Sequence, residues 1–361
     1  MLKLLLKILS GFYYLVTSVR NFLYDNKVIK SHEFFAPVIS VGNLTVGGTG
    51  KTPHTEYIVN LLKDEFTVTV LSRGYKRETS GYIEADKDSS VAEIGDEPKQ
   101  MMKKFSGKAF VAVCEDRVKG ILNILKKKLD AQIIVLDDAY QHRKVTPSVN
   151  ILLVDYNRPV YEDHLLPYGR LRESSKGTSR AHIIIVTKCP DGIKPIEKNI
   201  IAKNMNRLPF QSVYFTNFKY SAPKKVFQDA ADSPEITKDT QILLLTGIAN
   251  TQILEEYVKK TFSENITQLK FSDHHNFKKK DIHKITETFS GLSGKKIIIT
   301  TEKDAVRLEE LTFDENIRKN MYYLPIEVNF IFEEDAQKFN QQILKYVTEN
   351  KTDYRLHTTV R

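Results

Sequence analysis

Two cysteines in 361 residues, Cys114 and Cys189, are too few for a disulfide framework and suit a reducing compartment. Each falls at or just past the end of an expected strand, where a small buried hydrophobe is the ordinary use of the residue. No repeat of fixed period and no low-complexity stretch is present. An apolar run long enough to cross a bilayer is also missing: between Lys7 and Arg20 only twelve uncharged residues run together, against the ~20 a span requires. No small-residue cleavage site follows, so the segment does not read as a secretory signal. What remains is a helix in the membrane interface, with lysines at the headgroups and Tyr and Phe near the boundary. The other reading is an amphipathic helix that covers part of the core.

Charge and length say more. The formal net charge of +9 suits an acidic partner, such as anionic lipid or a phosphorylated substrate. Lys3, Lys7, Arg20, Lys27 and Lys30 face the single Asp25 in the first thirty residues. A chain this long exceeds one ordinary core, which favours two domains.

From Pro37 onward apolar runs alternate with amphipathic stretches, the rhythm of parallel β/α units. Strands are expected at Val38–Val41, Thr67–Leu71, Ala109–Val113, Ile133–Leu136, Ile151–Val154 and Ile183–Thr187, each apolar on both faces. Val118, Ile121, Leu122, Leu125 and Leu129 recur at helical spacing. The rhythm breaks near Ser212. There Val213–Tyr220 and Lys225–Phe227 flank Ser221-Ala-Pro223 and read as a two-stranded connector. A second run then supplies strands at Ile242–Leu245, Ile266–Phe271, Lys296–Thr300 and Tyr322–Glu327. Its helices are expected at Thr251–Phe262, Lys279–Phe289, Asp304–Glu310 and Glu333–Tyr346. The expected division is a surface helix over 1–30, a nucleotide domain over 31–211 and a connector over 212–240. A second α/β domain over 241–350 and a patternless tail over 351–361 follow. The fold class is α/β, a doubly wound, mostly parallel P-loop NTPase-like sheet with a smaller second α/β domain.

The segment from Val38 to Pro53 reads strand, glycine-rich turn, helix, which is the setting a phosphate-binding loop needs. Its turn is Thr45, Val46, Gly47, Gly48, Thr49, Gly50, Lys51 and Thr52. The glycines free backbone N–H groups to point at phosphate oxygens, and the helix start adds its positive end. Lys51 is placed to reach the β- and γ-phosphates, and Thr52 to ligate Mg²⁺. Thr45 stands where the strict motif has its first glycine. Val46 stands where a related ATPase class has a second lysine, which speaks against that class.

A phosphate loop also needs a carboxylate at the end of a neighbouring strand. Ile133–Asp138 offers Asp137 and Asp138, which cannot face the same way in extended chain. One of them holds the metal while the other orients it or the nucleophile. Arg143, just beyond, suits either a phosphate or a surface ion pair. Thr187-Lys-Cys-Pro190 is similar to a guanine-reading element but has proline in place of its aspartate, so ATP is the expected nucleotide.

Several segments in order resemble the tetraacyldisaccharide 4'-kinase family. They are Ser40–Asn43 through Thr52-Pro53, Leu71–Tyr75, Gly95–Pro98, Leu136–Arg143, Leu165–Glu173, Val186–Pro190, Thr246–Asn250, Phe271–His275 and Thr301–Val306. Ala139-Tyr140 and Tyr168-Gly-Arg170 depart from the family's usual residues on the substrate side. The resemblance implies ATP, Mg²⁺ and γ-phosphate transfer to the 4'-hydroxyl of an acylated glucosamine disaccharide 1-phosphate, a lipid A precursor. It also implies attachment to the cytoplasmic face of a Gram-negative inner membrane.

It suggests Asp96 and His274 as a base pair in which the aspartate sets the tautomer and the imidazole accepts the hydroxyl proton. His275 is the rival. Glu97 is a candidate for metal or substrate positioning, Arg172 for phosphate, Glu173 for the Mg²⁺ shell or a sugar hydroxyl, and Arg73 and Tyr75 for substrate. No nucleic acid and no obligate protein partner are expected. A competing class is a membrane-associated P-loop ATPase or nucleotide switch. Asp273-His274-His275 and Pro190 disfavour it. A soluble small-molecule kinase is a third reading.

Overall fold

The computed structural model describes residues 1–127, 131–231, 234–248 and 251–358, with side chains through 349. Leu129 of the expected helical stripe and Ala249-Asn250 lie outside the described residues.

Val- and Ile-rich segments form a large sheet from β1 (Val38–Asn43), β2 (Val68–Ser72), β3 (Ile83–Glu84), β4 (Phe110–Val113), β5 (Ile133–Asp137), β6 (Val149–Asp155), β7 (Ile183–Thr187) and β8 (Ser212–Tyr220). A smaller sheet follows, from β9 (Lys224–Lys225), β10 (Gln241–Thr246), β11 (Ile266–Lys270), β12 (Lys296–Thr301) and β13 (Met321–Leu324). The chain then returns to the large sheet as β14 (Ile326–Phe330), giving the order β14-β8-β7-β6-β1-β5-β2-β4-β3. All neighbours from β8 to β4 run parallel, and only the two edge strands are antiparallel. The small sheet runs β11-β10-β12-β13-β9, parallel except at β9.

The inner strands β1, β5 and β7 are buried at every position, which is why their sequences do not alternate. Gly42 in β1 is required by packing: a Cβ there would lie 2.7 Å from the backbone nitrogen of Tyr140. Cys114 and Cys189 are free and buried.

The expected connector is corrected by the pairing. Lys224–Lys225 pairs with β13, and β8 pairs instead with β14, Ile326 opposite Tyr220 through Phe330 opposite Thr216. The run Tyr322–Glu327 is therefore two strands broken at Pro325, whose carbonyl accepts from Ser221 N at 3.0 Å where the chain crosses between sheets. Proline supplies no N–H for a ladder, which explains the break. By packing, β14 and the C-terminal helix Glu333–Thr358 belong with the large sheet: Phe330, Phe339, Ile343 and Val347 enter its core. That helix also runs through most of the stretch expected to be patternless.

The helix Leu2–Asp25 is a single element of 24 residues, roughly 36 Å long. By length and composition it reaches what a bilayer span requires, more than its twelve-residue uncharged run implies. One stripe docks on the body. Ser10 donates to Leu165 O at 2.9 Å, Tyr13 to Arg172 O at 2.9 Å and Asn21 to Glu173 Oε2 at 2.8 Å. Leu5, Ile8, Phe12, Leu15, Val19 and Phe22 are exposed.

Candidate active site

The phosphate loop leaves the carboxyl end of β1 beside that of β5, near the point where strand order reverses and ligands bind in such sheets. Gly47 and Gly50 adopt φ of 112° and 85°, and the helix Lys51–Leu62 starts directly after. The loop is tied down on all sides. Val46 N donates to Arg170 O at 2.8 Å and Arg172 N to Leu44 O at 2.7 Å. Asn43 Nδ2 donates to Thr49 Oγ1 at 2.7 Å, and Thr187 Oγ1 to Thr49 O at 3.0 Å. His54 meets Gly50 O at 2.8 Å and Thr216 Oγ1 at 3.1 Å, and burial pushes its imidazole down to about 4, so it stays neutral. Thr45 and Thr49 are buried, Val46 and the two central glycines exposed, and Thr52 half-buried at the helix start.

Asp137 and Asp138 point in different directions, as their neighbouring positions demand. Asp137 is buried, accepting from Thr55 Oγ1 at 3.0 Å and Ser72 Oγ at 3.5 Å. Burial, then the charges of Glu97 and Asp138, push its carboxyl up to about 7. Asp138 has a left-handed φ of 46° and turns to Arg172, 2.8 Å away, and Lys51, 3.7 Å away. Burial opposes its ionisation, but Lys51 and Arg172 outweigh that and hold the carboxyl below its usual value. Arg117, which the sequence reading missed, is buried behind the pair and donates to Asp137 O at 3.1 Å.

The second centre is assembled across the two sheets. Asp96 and Glu97 open a helix, Asp96–Phe105, that the sequence reading did not place. His274, in a left-handed turn with φ 56°, brings Nδ1 to 3.0 Å from Asp96 Oδ2. Lys303 Nζ lies 2.8 Å from His274 Nε2. An ammonium only donates and a carboxylate only accepts, so Lys303 and Asp96 are both satisfied with the lone pair on Nε2 and the proton on Nδ1. The Arg307 guanidinium, 3.2 Å from Nδ1, donates to the same Asp96 oxygen instead. Burial opposes ionisation of Asp96, but His274, Lys303 and Arg307 hold its carboxyl far below the usual range. Tyr75 packs its ring edge-on against His274 at 5.2 Å. Lys303 and Arg307 lie on the helix Glu302–Leu308, which begins two residues before the expected Asp304 because Thr301 caps it, accepting from Asp304 N. In the sequence Lys303 fell in the Thr301–Val306 segment and Arg307 in the helix expected at Asp304–Glu310, and no role followed from either.

His275 does not share this centre. Its Nε2 bonds Asp281 at 3.0 Å and its ring stacks on Phe271, so it fastens its own loop to the helix Lys279–Ser290. Glu173 is fully buried: Oε2 accepts from Asn21 of the N-terminal helix at 2.8 Å, and Oε1 from Gln141 at 3.1 Å and Arg180 at 2.8 Å, so both oxygens are engaged. Arg143 is likewise committed to that helix, through Asn21 O, Asp25 and the Tyr24 ring. Arg73 is exposed at the strand exit. Glu97 links the two centres. Burial raises its carboxyl, Lys303 and Lys51 lower it, and Asp96 raises it.

Among the described residues no cluster of three or more His, Cys, Asp or Glu side chains forms a metal cage. The oxygen donors near Lys51 nonetheless fit Mg²⁺, which takes one or two carboxylates plus substrate phosphates. The crowding of Glu97 and Asp138 around a buried Asp137 is charge that a divalent cation relieves.

The chain is similar to known proteins along almost its whole length. The family model described as "Tetraacyldisaccharide-1-P 4'-kinase" matches residues 2–348. A tetraacyldisaccharide 4'-kinase of Bacteroides fragilis (strain YCH46) is 48% identical over 343 residues, covering 92% of this chain and 90% of the relative. One from Flavobacterium johnsoniae is 42% identical over 352 residues, covering 97% and 99%. The crystal structure of the "apo" form of LpxK from Aquifex aeolicus in complex with ATP superposes with a TM-score of 0.72 at 29% identity, covering 95% of this chain and 99% of that one. A phosphate loop beside paired aspartates, a histidine–aspartate contact across the two sheets and matches that run nearly end to end place this chain in the tetraacyldisaccharide 4'-kinase family.

Proposed function

We propose that this chain transfers the γ-phosphate of ATP to the 4'-hydroxyl of an acylated glucosamine disaccharide 1-phosphate, in the route to lipid A. The observation that carries the chemistry is the 3.0 Å contact between Asp96 and His274. Glu97, adjacent in sequence, is within the electrostatic influence of Lys51 at the phosphate loop. A sugar hydroxyl is a poor nucleophile, and an imidazole whose Nε2 accepts its proton once the Lys303 ammonium gives way is the base it needs. Asp96 holds the ring in that tautomer and offsets the imidazolium charge once the proton has moved. Asp138, itself fixed by Arg172, keeps the Lys51 ammonium beside the loop, where it meets phosphate oxygens. Thr52 with Asp137 or Asp138 would hold Mg²⁺, whose charge would offset that of the β- and γ-phosphates. Closing the two sheets on each other excludes water from the transfer.

The N-terminal helix supports a location at the cytoplasmic face of the inner membrane. Its polar stripe is fastened to residues 165–173 from Ser10 to Asn21, while its exposed stripe is apolar, which suits lying in the lipid interface. The test is incubation of purified protein with γ-labelled ATP, Mg²⁺ and the acylated disaccharide 1-phosphate. Label is expected in the lipid. Label found only as free phosphate overturns the reading in favour of an ATPase.

A further inference from the structure

We propose that Lys303 is a positioning residue for the transfer, holding the Nε2 lone pair of His274 until the acceptor hydroxyl takes its place. The inference rests on the reading of His274 as the base. Three carboxylates surround the Lys303 ammonium: Asp96 and Glu97 at 3.7 Å and Asp273 at 3.8 Å. The ammonium is closest to none of them. Its hydrogen bond, at 2.8 Å, goes to the imidazole nitrogen on which the proposed chemistry depends. A lysine present only to balance charge would settle against a carboxylate, where attraction is larger than to a neutral ring.

This placement has two consequences. The first concerns the step itself. As the hydroxyl oxygen bonds to the γ-phosphorus, its proton passes to Nε2. The bond from the γ-phosphorus to the bridging oxygen breaks, and its electron pair leaves with ADP. His274 then becomes an imidazolium, and an ammonium cannot remain in contact with it. Glu97 and Asp273, both within 4 Å of Nζ, offer the displaced ammonium a landing place. The second concerns selectivity. A water molecule has little binding energy with which to displace an ammonium from Nε2, whereas a substrate gripped elsewhere has enough. Lys303 therefore guards the base against activating water and wasting ATP.

Charge around the ring sets the pH signature. The groups facing His274 are Asp96 and Glu97 from one helix, Lys303 and Arg307 from another, Asp273 from its own turn and the uncharged edge of Tyr75. Removing the ammonium leaves three carboxylates against one guanidinium, which favours the protonated ring.

The test uses the full chain with Mg²⁺-ATP and the acylated disaccharide 1-phosphate. It follows the pH profile of kcat/KM and the ratio of phosphate released to lipid phosphorylated. For Lys303→Met the acid limb is expected to move up by about one pH unit and the ratio to rise about tenfold. Lys303→Arg is expected to restore both. Lys303→Gln keeps an N–H donor without charge, and also serves if the Met variant is unfolded. Its limb is expected to shift while its ratio stays near that of the wild type. A Met or Gln variant that binds ATP but keeps the wild-type limb overturns the proposal. His274→Ala separates the two readings: retained transfer defeats the base itself, whereas an inactive His274→Ala beside an unshifted Lys303 variant defeats only the role of Lys303.

Discussion

The two halves of the active site are built by opposite means. The proposed phosphate end is eight consecutive residues, Thr45–Thr52, whose backbone N–H groups would do most of the ligating, oriented by two positive-φ glycines and a helix start. The end proposed for proton transfer gathers its partners from three separate parts of the chain. Asp96 comes from a helix against the large sheet, His274 from a turn after β11, and Lys303 and Arg307 from a helix after β12. An anion site made of backbone is encoded locally and survives changes such as Thr45 for the usual first glycine. A base made of side chains from two sheets exists only when those sheets are correctly docked.

Lys51→Met tests the local half and should have the largest effect, a loss of about 10²–10³ in transfer, because the charge that meets the phosphates is gone. It should lower acceptor-independent ATP turnover as well, measured as phosphate release. His274→Ala tests the assembled half and should cost about 10² in kcat while ATP binding by calorimetry stays near that of the wild type. Equal losses of ATP binding in the two variants would erase the distinction between the halves.

Gly50→Ala sharpens the local half alone. Its φ is 85° and the new Cβ would lie 2.3 Å from Phe218 Cζ. ATP affinity should fall about tenfold, from backbone strain of ~1–2 kcal/mol. Phe218→Ala in the same chain should not restore it, since the strain lies in φ; full restoration would mean that only the clash mattered.

The smallest effect concerns the contact between the halves. Glu56 on the phosphate-loop helix is buried and bonds Gln100 at 2.8 Å and Lys104 at 2.6 Å, and Lys104 also reaches Glu302 at 3.3 Å. Burial is the main cause that pushes the Glu56 carboxyl up to about 7, with Glu302 adding and Lys104 opposing. A carboxyl whose folded value lies above its unfolded one makes folding take up a proton. Stability from this group is thus greatest below about 4.5 and falls as pH rises to about 7. Glu56→Gln should flatten the fall in melting temperature between those limits. An unchanged slope would place the titration elsewhere.

The sequence carried the parallel β/α architecture, because a strand buried on both faces must be apolar throughout and a connecting helix must show its stripe. It carried the phosphate loop, because Gly47, Gly50 and Lys51 act through φ and position along one short segment. It placed Asp137 and Asp138 at the loop and named Asp96 and His274 through family resemblance. What it left open was decided by long-range docking. His274 and His275 are neighbours of one chemical type, and only the helix Lys279–Ser290, by supplying Asp281, claims one and leaves the other to Asp96. Glu173 reads as well for a metal as for an arginine, and only the structure shows that Asn21, Gln141 and Arg180 converge on it. The return of β14 to the large sheet turned on Pro325, and the cap on Lys303's helix turned on Thr301. Side-chain partners such as Asp96 and Arg307, 211 residues apart, leave no periodic mark in the chain, so only the tertiary structure could pair them.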